Sequence, residues 1–171
     1  MQNFSFKALV VAATLVTAGV AQAGTVNYTV GAGWERFSAG AVGTQVNREF
    51  SFTLTQNAIL SIVDGFLPGD QYEVFANGSS LGSTTVPGPG PSTGMKFDVA
   101  FADGIHSMGQ FILGPGAYLI SLTVLSRSGI DTRGHIGALR VDLAPVPVPA
   151  AGALLLTALG ALGLRRRRHS A

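Results

Sequence analysis

Phe50-Ser51-Phe52-Thr53-Leu54-Thr55 alternates between large apolar and small polar side chains. Because successive side chains of a strand point to opposite faces, this stretch predicts a β-strand with one face in a core and the other in water. One wet face and one dry face are typical of antiparallel sheets. The same alternation returns in three later stretches, Met95–Phe101, Tyr118–Val124 and Leu139–Leu143.

Turn residues separate these strands from four others. Asn77-Gly78 is a strong hairpin dipeptide, Thr55-Gln56-Asn57 lies between two strands, and Gly114-Pro115-Gly116 precedes the longest strand. About seven to nine short strands with frequent turns predict an all-β fold, an antiparallel β-sandwich of jelly-roll or immunoglobulin-like type. The four other predicted strands are Thr25–Val30, Ala58–Val63, Gln71–Phe75 and Leu81–Thr85.

The low-complexity stretch Val86–Gly94 has two interpretations, a linker between domains or an exposed loop. The chain has no cysteine, so two half-sized domains would have to fold without disulfides. We therefore predict an exposed loop and a single β-sandwich domain over residues 24–144.

Both ends of the chain carry targeting features. Lys7 precedes the apolar run Ala8–Val20, and Ala21-Gln22-Ala23 is an A-x-A cleavage site. This order predicts a secretory signal peptide over residues 1–23, removed after Ala23. An uncleaved membrane anchor is the alternative, but the apolar run is short of the roughly 20 residues that span a bilayer.

The C-terminal segment, residues 145–171, has three parts. The motif Val146-Pro147-Val148-Pro149-Ala150 comes first, the apolar run Gly152–Leu164 follows, and the basic block Arg165–Arg168 is next. A helix over this run would have almost no polar face, which favours a transmembrane helix over a core helix. The positive-inside rule places the arginines in the cytoplasm, so the β domain would lie on the opposite side of the membrane.

Charge separates the domain from its tail. The whole chain carries a formal charge of +2, whereas the six basic and nine acidic side chains from Gly24 to Ala144 give −3. A mildly acidic domain does not suggest a nucleic-acid-binding protein.

Catalytic signals are weak. Gly78-Ser79-Ser80-Leu81-Gly82 fits the G-x-S-x-G pattern, but Thr84–Gly88 cannot form the helix that a nucleophile elbow needs after its serine. We interpret the serines as the polar tip of a hairpin. His106 and His135 lie within two residues of a glycine and lack metal-ligand spacing, which predicts solvated loop histidines. No catalytic residue is predicted.

Two binding features remain open. Asp64 and Asp70 bracket a five-residue loop, and two carboxylates with nearby carbonyls suit calcium, although Asp-Gly and Gly-Asp are also ordinary turn residues. Calcium is the one cofactor that the sequence suggests. Trp34 lies in a glycine-rich stretch and is the leading candidate for sugar stacking, ahead of Tyr28, Tyr72 and Tyr118, whereas packing in the core or at its rim is the commoner role of such aromatics.

The three-part tail resembles the PEP-CTERM class of bacterial sorting signals, and specifically its VPLPA-CTERM variant, with Val148 where that variant usually has leucine. The resemblance implies a Gram-negative protein exported through the Sec translocon, held transiently in the inner membrane and cut by an exosortase, a membrane transpeptidase-like enzyme. Val146, Pro147, Val148, Pro149 and Ala150 would form the sorting motif. The membrane stop would be Arg165, Arg166, Arg167 and Arg168.

A second resemblance concerns the middle of the chain. Glu49–Leu54, Ala58–Ile62 and Gly116–Leu122 are similar to strands of secreted sandwiches such as bacterial pre-peptidase C-terminal domains, which implies fold class only. The sequence therefore predicts an exported, non-enzymatic protein of the cell surface or extracellular polysaccharide matrix, with a structural or adhesive role. The alternative is a carbohydrate-binding module for exopolysaccharide that uses Trp34 and a calcium ion at Asp64 and Asp70. A hydrolase is the least favoured class.

Overall fold

Nine strands and one short helix make up the part of the chain that the computed structural model describes, residues 23–129 and 134–145. Helix α1 (Phe97–Ala102) lies between β6 and β7. The strands are β1 (Gly24–Asn27), β2 (Glu35–Ser38), β3 (Arg48–Leu54), β4 (Ala58–Asp64), β5 (Gln71–Ala76), β6 (Ser79–Ser83), β7 (Met108–Leu113), β8 (Gly116–Ser126) and β9 (Ile136–Leu143).

The strands form two sheets. The five-stranded sheet has the order β1-β3-β8-β5-β6, and the four-stranded sheet has the order β2-β9-β4-β7. Within the described residues, the named strands pair antiparallel except β1, which runs parallel to β3. The predicted all-β antiparallel sandwich is thus confirmed, with one parallel pair at an edge.

The core between the sheets comes from the alternating residues that the sequence indicated. On β3 the side chains of Phe50, Phe52 and Leu54 are buried, while Thr53 is exposed. Phe37 of β2 packs edge-on against Tyr72 of β5, with ring centroids 5.2 Å apart, and so joins the two sheets. Burial of these apolar surfaces, without a disulfide, is the main stabilising term of the fold. Other core residues include Leu60, Ile62, Val74, Ile120, Leu122, Val124, Leu139 and Val141.

The hairpin and the long loop match the sequence analysis. Asn77 and Gly78 have φ angles of 50° and 80°, as a type I′ turn requires, and they connect β5 to β6. Val86–Gly94 contains neither strand nor helix. Since β8 pairs with both β3 and β5, residues on the two sides of this loop build the same sheet.

One predicted strand is wrong. Met95–Phe101 alternates like a strand, but residues 97–102 form α1, whose Phe97 and Ala100 are buried against Val63 and Ala138 on the outer face of the four-stranded sheet. These two positions are three apart, which suits one face of a helix. Val99, which a strand would have placed beside Phe97, is exposed instead.

Two strands were not predicted. β2 carries one large apolar residue, Phe37, and β7 ends in the contiguous run Phe111-Ile112-Leu113, so neither alternates clearly. Several boundaries also differ: β1 ends at Asn27 rather than Val30, β6 occupies Ser79–Ser83 rather than Leu81–Thr85, and β9 begins at Ile136 rather than Leu139. The predicted signal and C-terminal helices lie outside the described residues.

Candidate functional site

The two predicted calcium ligands lie in one buried cluster. Asp64 is the last residue of β4, Asp70 immediately precedes β5, and their exposed fractions are 0% and 1%. Asp64 Oδ2 accepts hydrogen bonds from the backbone N–H groups of Gly69 and Asp70, both at 3.0 Å. The connecting loop therefore brings the two carboxyl groups together, as the sequence indicated, but inside the protein.

Donors from two other segments occupy the Asp70 carboxylate. The backbone N–H of Ser128 donates to Oδ1 at 3.0 Å, and His135 Nδ1 lies 2.8 Å from Oδ1 and 3.0 Å from Oδ2. The Tyr72 hydroxyl lies 3.5 Å from Oδ2. The prediction of a solvated His135 is wrong, because its side chain is only 8% exposed and bonds to a buried carboxylate. The two partners are separated by 65 positions in the chain, so no local sequence pattern indicated their contact.

Burial controls the ionisation of this cluster. Removal from water is the main cause that raises the pKa of Asp64 to about 8, and the charge of Asp70 adds to it, whereas the backbone hydrogen bonds only partly oppose the rise. Burial likewise raises the pKa of Tyr72 well above its usual value. At neutral pH, Asp64 is therefore mostly a neutral acid.

The residues at this cluster do not fit calcium. Calcium takes six to eight oxygen ligands, with ionised carboxylates among them. Here Asp64 favours its neutral form, and Asp70 is already bonded to N–H donors. Among the described residues, Asp64 Oδ1 is the one carboxylate oxygen of the pair that is buried without a hydrogen-bond partner. Across residues 23–129 and 134–145, no group of three or more histidine or acidic side chains has a metal-binding arrangement.

The second histidine is also buried. His106 is 2% exposed, so its prediction as a solvated residue is wrong. Its Nδ1 lies 2.6 Å from Asp103 Oδ2, and its Nε2 lies 3.0 Å from the carbonyl oxygen of Phe66 and 3.4 Å from Thr93 Oγ1. The Asp-x-x-His spacing was the signal that could have revealed this pair.

Asp103 is held in its ionised form. Burial alone would raise its pKa, but hydrogen bonds from the backbone N–H groups of His106 and Ile105 and from the His106 ring outweigh it, so the pKa is lowered. The Phe66 carbonyl oxygen lies 3.0 Å from His106 Nε2, closer than Thr93 Oγ1 at 3.4 Å, so this nitrogen faces an acceptor in preference to a hydroxyl group. The Asp103–His106–Thr93 arrangement therefore lacks the geometry of a nucleophile with its base.

The G-x-S-x-G serine lies on the hairpin. Ser80 is an exposed residue of β6, and its Oγ donates to Glu73 Oε1 on β5 at 2.9 Å. A loop follows β6, so the segment lacks the helix of a nucleophile elbow. The interpretation of these serines as part of a polar hairpin is confirmed.

Trp34 packs at the rim of the sandwich. Its ring centroid lies 5.5 Å from that of Phe101 and 6.2 Å from that of Phe97, and its Nε1 donates to Asp98 Oδ1 at 2.9 Å. The guanidinium carbon of Arg140 lies 4.5 Å from the ring centroid, so a cation covers one face of the indole. Trp34 thus fastens α1 to the sheet, and Arg140 occupies one face of its ring.

The other aromatic candidates are enclosed as well. Tyr28 and Tyr72 are buried, and Tyr118 is half-buried against Phe52. Throughout the described ranges, no tryptophan, tyrosine or phenylalanine is exposed. The aromatic row that a sugar-binding face would present is therefore missing from this part of the chain.

The sorting residues lie mostly outside the described ranges. Ala21, the motif Val146–Ala150 and the block Arg165–Arg168 lie outside those ranges, whereas Ala23 directly precedes β1. The one helix in the described ranges is too short to cross a bilayer.

Comparisons with known proteins add little. No protein-family model matches the chain, and no curated protein matches it. One solved structure that resembles it is the pre-peptidase C-terminal domain of a collagenase from Bacillus anthracis, at 12% identity and a TM-score of 0.38, over 70% of this chain and 94% of that one. At this TM-score the likeness carries no argument about function.

Proposed function

We propose that this chain is an exported protein that an exosortase-type enzyme cuts at the C-terminal motif and sorts to the cell surface or the extracellular polysaccharide matrix. The observation that carries the proposal is the order of Val146–Ala150, Gly152–Leu164 and Arg165–Arg168. A helix-breaking motif, an apolar run and a cationic stop form a temporary membrane anchor with a cutting point on its outer side.

The β domain then has a non-enzymatic, structural or adhesive role. Several features of the described residues support this role. The large aromatic side chains are enclosed, the two histidines are bonded to carboxylates, and the G-x-S-x-G serine lies on a hairpin strand. A sandwich closed by packing and buried polar pairs suits an exported protein without disulfides.

The strand order supports a finer assignment of the fold. Strands β2 to β9 alternate between the sheets, apart from the β5–β6 hairpin, in the orders β2-β9-β4-β7 and β3-β8-β5-β6. This is the order of an eight-stranded jelly roll, to which β1 adds a parallel edge strand. We therefore favour the jelly-roll alternative over the immunoglobulin-like one.

The test of sorting is the mass of the protein from its native host. We expect surface material that begins at Gly24 and ends near Ala150, without the arginine block. Intact chains that end at Ala171 in the surface fraction would contradict the proposal.

A further inference from the structure

A donor-rich pocket lies where the chain passes from one sheet to the other. It has a volume of about 220 Å³ and is lined by Arg36, Phe37, Ser38, Asn47, Arg48 and Ile136. Arg36 to Ser38 belong to β2 of the four-stranded sheet, whereas Arg48 starts β3 of the five-stranded sheet. The pocket therefore lies between the two sheets' strands, and none of the four acidic or histidine residues Asp64, Asp70, Asp103 and His135 lines it.

The amide of Asn47 has a fixed orientation. Its Oδ1 accepts from the backbone N–H of Ser38 at 2.7 Å, and its own backbone N–H donates to the carbonyl of Ser38 at 3.1 Å. Because the side-chain oxygen is occupied, Nδ2 is the group of Asn47 that remains for a ligand, and it is a donor.

Two acceptors position the guanidinium of Arg48. One of its nitrogens, Nη1, donates to Glu35 Oε1 at 2.6 Å and to the carbonyl of Arg36 at 3.1 Å. Glu35 does not line the pocket. These two bonds hold the guanidinium in place and leave its Nε and Nη2 donors without a hydrogen-bonded acceptor among the described residues.

Arg36 is the less neutralised of the two arginines. Within the described ranges, its one hydrogen-bonded side-chain partner is Met95 Sδ, at 3.1 Å from Nη1. A thioether is a weak acceptor, so this contact leaves most of the hydrogen-bonding capacity of the guanidinium free. Arg36, Asn47 and Arg48 thus bring N–H donors to the lining of one pocket, and no carboxylate of the described residues lines it.

We propose that this pocket binds the carboxylate of one uronic-acid residue of an acidic polysaccharide. Arginine donors match a planar carboxylate in pairs, and charge-assisted bonds of this kind are stronger than neutral ones. The volume is about seven times the share of one water molecule in the liquid, on the order of a single sugar ring. Ile136, which is half-buried, is the lining side chain that can contact the apolar face of such a ring.

The inference deepens the proposed function. That the uronate belongs to the extracellular matrix rests on the sorting proposal, whereas the preference of the pocket for a carboxylate rests on the contacts above. The two can be tested apart, because the terminal masses report sorting and ligand binding reports the pocket.

The experiment is affinity electrophoresis of the protein purified from whichever fraction of the native host contains it. The migration of the protein is compared between a gel that contains polygalacturonate and a gel that contains a neutral glucan. We expect retardation by polygalacturonate only, and an affinity about tenfold lower for Arg36→Gln, as loss of one charge-assisted contact predicts. Asn47→Asp keeps the acceptor for Ser38 but adds a negative charge, so it should abolish retardation. The matched control is Arg127→Gln, the same charge change at an exposed residue outside the pocket.

Competition identifies the bound group. Free glucuronate should release the protein, while glucose and inorganic sulfate at equal concentration should not. Equal retardation by both gels, an equal loss in Arg36→Gln and Arg127→Gln, or no retardation at all would overturn the proposal. Release by sulfate as effective as release by glucuronate would overturn the assignment to a uronate.

Discussion

His135 Nδ1 lies within 3.0 Å of both carboxylate oxygens of Asp70, although 65 positions separate the two residues. Asp70 leads into β5 of one sheet and His135 leads into β9 of the other. Their contact therefore joins the two sheets at one end of the sandwich. In a chain without cysteine, such a buried polar link restrains the sheets where a disulfide is absent.

Removal of this link should destabilise the domain. His135→Ala removes the closest side-chain partner of Asp70, which is 1% exposed. Because a buried carboxylate that loses its partner is costly, we expect a loss of about 3 kcal/mol in the free energy of unfolding, measured in urea. The control is Ser80→Ala, which removes an exposed hydrogen bond to Glu73 and should cost less than about 0.5 kcal/mol. Equal losses in the free energy of unfolding for the two substitutions would contradict a stabilising role of the buried pair.

The buried acid should make stability depend on pH. The pKa of Asp64 is raised from 3.8 to about 8 in the folded state, so the folded protein holds this proton more tightly than the unfolded chain. The stabilisation is fully present below pH 4, falls as the pH rises, and is lost above about pH 8. The slope contributed by this group is at most about 1.4 kcal/mol per pH unit.

Asp64→Asn isolates this contribution. The amide oxygen still accepts from the N–H groups of Gly69 and Asp70 but does not titrate. Urea unfolding from pH 4 to 9 should therefore give a flatter profile for the variant than for the parent protein, since the other groups are common to both. Parallel profiles would disprove a raised pKa at Asp64.

Calcium should leave the melting temperature unchanged. An ion that binds only the folded state raises stability with its concentration, by about 2.7 kcal/mol at one hundred times its dissociation constant. Asp70 is already occupied by N–H donors and Asp64 favours its neutral form, so we expect no such rise. Calorimetry in the presence of calcium and in the presence of a chelator measures the two melting temperatures. A calcium-dependent rise in the melting temperature of the parent protein that is absent in Asp64→Asn would support calcium binding at this residue.

The sequence predicted local features better than distant ones. Phe50–Leu54 and Asn77-Gly78 specify a strand and a turn through their own side chains and backbone angles. The strand predicted over Met95–Phe101 was wrong because the helix depends on packing of Phe97 against Val63 and Ala138, which lie far away in the chain. The partnership of Asp70 with His135 likewise exists only after both sheets have formed.

Trp34 should matter for stability and not for polysaccharide binding. Trp34→Ala removes the contacts with Phe97, Phe101 and Arg140, and for a half-buried ring we expect a loss of about 2 kcal/mol. Trp34→Phe keeps part of the packing and loses the bond to Asp98, at a cost of about 1 kcal/mol. Both variants should be retarded by polygalacturonate like the parent. Reduced retardation with unchanged stability would favour a role in sugar stacking.

Pro147 and Pro149 should determine whether the protein leaves the membrane. Proline interrupts helices, so the pair keeps the motif from continuing the apolar helix predicted after it. With both changed to alanine, we expect a longer helix through the cutting point and full-length protein in the inner-membrane fraction. Pro87→Ala with Pro89→Ala is the matched control, because it makes the same change in the loop between β6 and α1. Fractionation of the native host with mass measurement of the C-terminus separates the outcomes, and release of the Pro147/Pro149 variant at the parent level would refute exosortase sorting through this motif.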